Sequence, residues 1–214
     1  MPVPSPTDGN DSYSWRSHTG GFGSSFSFSL TWNLLRQHSS IVEWHEVVWF
    51  REEISHYSFI TWLFVLKRIP TKDRLISWGL TVPDACVLCS DHVEFHQHFF
   101  FECSYAVSIW SLYCSRFITS PPSDISSAVS MCLSYSGIYA SQVKIIMKLL
   151  LQVLVYSLWR ERNGQIFRDL SHSPTVFFRM VDHHMRDKLL SLFAALNDVH
   201  YLLELYFWFI APFS

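Results

Sequence analysis

A mainly α-helical fold, organised around one short structural zinc-binding loop and carrying at most a small N-terminal β-hairpin, is what this sequence predicts, on three observations. Apolar residues recur at helical spacing through the long stretch from Ser141 to Arg162. Isolated prolines and glycines, among them Pro70, Gly79 and Pro174, punctuate the chain where helices should stop or start. Between these helices, Cys86, Cys89, His98 and Cys103 form a C-x2-C-x8-H-x4-C run, which can close on a metal within a few turns of backbone.

The elements follow in order. Residues up to Gly23 are rich in Pro, Ser and Gly, which predicts a flexible segment over 1–23. Ser25 to Ser29 alternates Phe with Ser, a short strand signal. Helices are expected over Leu30–Arg36 and over Tyr57–Arg68, the second stopped by Pro70. Thr71 can cap a short helix that carries Leu75 and Trp78 and ends at Gly79. Beyond the cysteine loop, Ala106, Ile109, Trp110, Tyr113 and Phe117 mark one helical face, broken by Pro121-Pro122.

In the longest helix, Val143, Ile146, Met147, Leu150, Leu151, Leu154 and Leu158 make an apolar stripe, with Lys144, Lys148 and Gln152 opposite and Gly164 as the expected C-cap. Ser173-Pro174 opens a last helix to about Leu192. The tail from Tyr201 to Ser214 is apolar and aromatic, yet too short to cross a bilayer, and contains Glu204. It is expected to pack on the body of the protein. Four regions result: 1–23, 24–120, 121–200 and the tail 201–214.

Zinc takes four soft or borderline ligands at tetrahedral positions, and a C-x-x-C turn supplies two thiolates from a single bend. The H-x4-C half returns an imidazole and a third thiolate, leaving no open position for water or substrate. Such a site holds structure and does no chemistry. His92 and His96 share the loop with His98, whose spacing to Cys103 gives the more compact return. The competing reading is three buried thiols, since free cysteine behaves as a small hydrophobe.

Sixteen Lys and Arg against eighteen Asp and Glu give a net charge of −2, unlike the basic balance of a dedicated nucleic-acid binder. Two local basic clusters remain. Lys67, Arg68, Lys72 and Arg74 precede the loop and are the candidate nucleic-acid contacts, with solvated helix ends as the plainer reading. Arg160, Arg162 and Arg168 form the second cluster. An odd count of five cysteines, three of them in the loop, fits a reducing compartment, nucleus or cytoplasm, better than a disulfide framework. Residues 1–12 lack the basic and apolar regions of a secretory signal. Catalytic patterns are missing: no adjacent Asp pair suits two-metal chemistry, and Gly20-Gly21-Phe22-Gly23 is no phosphate loop. Asp182-His183-His184 would point in different directions on a helix, which argues against a metal site there. Cys114 and Cys132 read as core thiols.

Phe26-Ser27-Phe28, Trp44, Val48-Trp49, Phe59 to Leu63, Leu66 to Leu75 and Trp78-Gly79, in that order ahead of the cysteine–histidine run, resemble the zinc-binding region of plant LINE-type, non-LTR retroelement reverse transcriptases. Cys86, Cys89, Glu94, His98-Phe99-Phe100, Cys103 and Ile109-Trp110 match its C-x-x-C…E…H…C pattern, and Trp159 to Asn163 is similar to a W-x-E-R-N segment of the same elements. Two departures stand out: Ser90 replaces a usual Gly or Asn, and Phe95 a usual Ser or Thr. The resemblance implies a non-catalytic domain with Zn2+ as cofactor, an ancestral place downstream of the polymerase, and RNA or DNA as partner. The alternative is a zinc-stapled scaffold that meets a protein partner through exposed aromatics, or a remnant of such an element; a membrane partner is not expected.

Overall fold

Ser27 starts a helix where the Phe/Ser alternation predicts a strand: its side-chain hydroxyl accepts from the Leu30 N–H at 3.5 Å, and such capping competes directly with extended backbone. The computed structural model describes residues 13–16, 20–37, 40–113, 118–195 and 200–210, in two units, Met1–Val42 and Glu43–Ser214. In the first unit, β1 (Trp15–Arg16) pairs antiparallel with β2 (Phe22–Gly23), setting Trp15 opposite Gly23 and Arg16 opposite Phe22. The hairpin thus lies N-terminal to the expected strand. Helix α1 (Phe28–Leu35) follows and buries none of its residues.

The second unit begins with α2 (His45–Val48) and α3 (Ser55–Val65). The second of these stops short of the expected Arg68, because Lys67 turns into the left-handed region at φ 53° before Pro70. Helix α4 (Lys72–Ser77) has Thr71 at its N-cap position in extended backbone, although the Thr71 hydroxyl donates to the Asp73 carboxylate and not to the helix end. Gly79, at φ 85°, supplies the left-handed turn after it. Helix α5 (Ser104–Tyr113) buries Ala106, Ile109, Trp110 and Tyr113 on one face. Cys114 and Phe117 lie outside the described residues.

Helix α6 (Ile125–Leu133), missing from the sequence-based expectation, is opened by a reciprocal cap between Asp124 and Ser127. Helix α7 (Ala140–Arg168) is the axis on which α3, α6, α8 and α9 pack, where α8 is Pro174–Ala195 and α9 is His200–Ile210. Gly164 does not end α7: the helix runs one further turn to Asp169, whose left-handed backbone closes it. A glycine inside a helix costs only about 1 kcal/mol against alanine, which packing overrides. By length and composition α7 would suit a membrane, but 67% of its most apolar window is buried within the fold, so that apolarity serves the core.

Gln152, expected on the polar side of the stripe, is fully buried. Its amide donates to the Val48 carbonyl at 2.9 Å and accepts from the Ile54 N–H at 3.4 Å, tying the end of α2 to the start of α3 as a satisfied interior polar group. Ser173 caps α8 through the Val176 N–H. The apolar tail packs as α9 against α7 and α8, with Leu202, Leu205 and Tyr206 buried. Residues 211–214 lie outside the described residues.

Candidate metal centre

A narrow backbone ribbon presents the first two thiols. Ala85 bridges antiparallel to Val93, the Cys86 N–H donates to the His92 carbonyl at 2.7 Å, and the Glu94 N–H to the Asp84 carbonyl at 2.8 Å. Within it the Ser90 N–H donates to the Cys86 carbonyl at 2.7 Å, folding Cys86 and Cys89 into one tight turn. Ser90 sits at φ 62°, a conformation natural to Gly and tolerable to Asn, and costly for other residues. That accounts physically for why a glycine or asparagine would suit this position.

The second half of the site depends on an uncommon turn. His98–Glu102 is a π-helical turn, closed by the Cys103 N–H donating to the His98 carbonyl at 2.7 Å. On an α-helix, residues five apart diverge by about 140°; the wider turn brings the fifth residue back above the first. His98 and Cys103 therefore face the same point in space, and π turns concentrate at functional sites for such reasons. The turn is held from below by Phe99, Phe100 and Phe101, all buried, and by the Trp110 indole N–H donating to the Phe100 carbonyl at 2.9 Å.

The four ligand atoms lie within 4.8 Å of one another. Cys86 and Cys103 sulfurs are 3.9 Å apart, and Cys89 Sγ is 3.4 Å from His98 Nε2. Zinc bonds of about 2.3 Å to sulfur and about 2.0–2.1 Å to nitrogen set tetrahedral edges of roughly 3.8 Å for S···S and roughly 3.5 Å for S···N. The distances fit that frame and exclude a disulfide, whose sulfurs bond at about 2.0 Å. The hydrogen bond from Cys103 holds the Cys86 thiol well below its ordinary range, while the same contact and burial push Cys103 up. Of the two sulfurs, Cys86 is therefore the one whose proton is held less tightly, and metal binding displaces the protons of both. Zinc is the cofactor this donor set suits: three thiolates and one imidazole, closed and mostly buried.

Glu94 anchors the loop to the rest of the unit. Its Oε1 accepts from Arg162 Nη2 at 2.6 Å, from Arg162 Nε at 3.0 Å and from the Lys72 N–H at 3.0 Å. Both side chains of this pair are buried, 3% and 0% exposed, and Arg162 also lies over the Trp159 ring at 5.0 Å. Glu94 and Arg162 were each visible as landmarks in the sequence, but nothing in a single chain pairs residues 68 positions apart.

The other two loop histidines stand outside the cluster, although the His92 ring lies 5.4 Å from that of His98. His92 is exposed, and His96 is buried between Phe64 and Phe100, with neither ring nitrogen bonded. Burial lowers the His96 pKa to about 4, so it is neutral. His183 pairs with Asp187 at 3.4 Å on the surface, and no second cluster of metal-ligating side chains occurs among the described residues. Cys132 is buried, donates to the Met147 carbonyl at 3.5 Å, and has its pKa pushed up to about 12 by burial.

The basic residues divide. Lys67 and Arg68 are exposed. The Lys72 ammonium donates to the Ala85 carbonyl, and Arg74 Nη1 to the Lys67 carbonyl at 2.9 Å, its guanidinium lying 5.3 Å from the Trp78 ring centre. Two of the four candidate cations therefore brace the loop and the end of α3. In the second cluster Arg162 is buried in its ion pair, whereas Arg160 and Arg168 stay exposed.

A protein family described as zinc-binding in reverse transcriptase matches residues 26–110. The matched stretch contains all three cysteines and the histidine of the cluster, Glu94 and the loop's aromatic support, and it excludes α6 to α9. Neither a curated protein nor a solved structure matches the chain.

Proposed function

We propose that this protein is a zinc-stapled accessory domain of the plant LINE-type, non-LTR kind, which grips template RNA or target DNA and catalyses nothing itself. The observation that carries the reading is the meeting of Cys86, Cys89, His98 and Cys103, ligand atoms within 4.8 Å of one another, inside the stretch that matches the reverse-transcriptase zinc-binding family. In that role the three sulfurs and His98 Nε2 hold the metal, and zinc supplies a cross-link between the ribbon and the π turn. Glu94 and Arg162 then fix the cross-linked loop against α7. Lys67 and Arg68 remain free for phosphate, with Lys72 and Arg74 behind them. Four described cysteines are free thiols, which supports a nuclear or cytoplasmic setting.

A second reading, a protein-interaction scaffold, is favoured by the first unit, where Phe22, Phe28, Trp32 and Leu35 are all more than half exposed. Elemental analysis of the purified chain, followed by circular dichroism before and after chelation, tests the first reading. About one zinc per chain and loss of helical signal on chelation are expected. A metal-free chain with unchanged helicity and melting would remove the staple and leave the scaffold reading.

A further inference from the structure

We propose that the cavity between α7 and α8 is a contact site for single-stranded nucleic acid, in which Arg160 and Arg168 take backbone phosphates and Phe167 offers a face to a base. This deepens the nucleic-acid reading above and rests on it, but moves the contact from the basic run before the zinc loop to the far end of α7.

Arg160, Asn163, Gly164, Phe167 and Arg168 recur at intervals of three and four and so share one helical face. All five line a cavity of about 400 Å³, within the range of ligand sites. Arg160 and Arg168 enter no ion pair among the described residues. Arg162, between them, is turned inward to Glu94. Lys72 and Arg74 of the other cluster already serve backbone carbonyls. The two uncommitted guanidiniums of α7 are thus gathered at one opening.

The cavity's carboxylate does not oppose an anion. Glu161 Oε1 accepts from the His172 N–H at 2.8 Å and from the Gln165 amide at 3.0 Å, and its Oε2 is 2.8 Å from His172 Nδ1. On the opposite wall His184 has its Nδ1 unbonded, and burial first, then Arg160, lowers its pKa. Phe167 is 77% exposed at the rim. A side chain at Gly164 would meet only Leu170, at 3.6 Å. Packing therefore does not demand glycine there, and the missing side chain keeps the floor open. Guanidiniums beside an exposed aromatic ring suit a single strand, since its bases are free to stack; a duplex offers no free base face.

The test uses zinc-loaded, full-length protein and fluorescence anisotropy with labelled oligouridine and oligodeoxythymidine across a salt series. Arg160→Gln with Arg168→Gln should weaken binding at least about tenfold and flatten the log–log salt slope by about 1.4, roughly 0.7 for each phosphate contact on a single strand. Phe167→Ala should weaken it by about tenfold with the slope unchanged. The control pair Lys67→Gln with Arg68→Gln should have a smaller effect. Zinc content and melting should stay at wild-type values in all these variants. Unchanged affinity in the arginine pair, a loss no greater than in the control pair, or equal affinity for a duplex of the same length would overturn the assignment. A zinc-loaded wild-type protein that binds neither strand would also overturn it while leaving the zinc reading standing. Absence of zinc would overturn the staple without touching a measured arginine effect, so the two fail separately.

Discussion

Arg162→Met isolates the contribution of the buried ion pair. The substitution keeps length and apolar packing and removes both bonds that Arg162 makes to Glu94 Oε1. The Lys72 N–H at 3.0 Å is then the remaining partner of that oxygen, and Glu94 Oε2 has none to begin with. Removing one partner of a buried pair costs about 3–5 kcal/mol, because the other charge is left in a low-dielectric interior. A chain of this size shifts by about 2–4 °C per kcal/mol, which gives a fall in Tm of about 6–20 °C. The double variant Glu94→Gln with Arg162→Met should recover a large part of that loss, since the amide oxygen can still accept from Lys72 and no charge is stranded. Thermal denaturation by circular dichroism in zinc-replete buffer reads both. A single variant melting within 2 °C of wild type, or a double variant no better than the single, would refute the reasoning that the pair anchors the loop.

Three other expectations follow from the loop and the core. Cys86→Ser or Cys103→Ser should lower bound zinc from about one per chain to near none by elemental analysis; His98→Ala should weaken it, whereas His96→Leu should retain zinc and melt no lower, because the His96 ring has no bonded nitrogen to lose. Ser90→Gly should raise stability by about 1 kcal/mol by relieving its left-handed backbone, seen as an increase in Tm; a decrease would mean that the hydroxyl matters more than the φ angle. Alkylation at pH 8 followed by peptide mapping should leave Cys132 unmodified both before and after chelation, given its burial and raised pKa, while Cys86, Cys89 and Cys103 become reactive once zinc is removed.

What the sequence made legible was local. The ligand run, the apolar stripe of α7, the Gly79 turn and the Ser173-Pro174 helix start are each carried by residues a few positions apart, where spacing determines geometry. Distant pairings left no trace: Glu94 with Arg162, Gln152 with Val48 and Ile54, and Glu161 with His172 all needed the fold to bring them together. The local errors have physical causes too. Gly164 read as a stop because its propensity is poor, yet packing carried the helix through it. The Phe/Ser alternation at Ser25 to Ser29 read as a strand until a serine cap turned it helical. Helix α6 was signalled both by Ile125, Ala128, Val129 and Cys132 at helical spacing and by an Asp124–Ser127 cap, but the period is too short to stand out beside the serines around it.

The π turn at His98–Glu102 makes chain length itself part of the site. Deleting one of the three consecutive phenylalanines would let this segment relax into an ordinary α-helical turn, locally more regular than before. Every ligand would survive, and His98 and Cys103, then four apart, would still share a face about 40° apart, whereas one added residue would set them about 120° apart on an α-helical turn. Composition in this segment can therefore drift among large apolar residues, and its length can shrink by one residue but not grow by one. A copy of this domain that gained a residue here would lose its metal before it lost any cysteine.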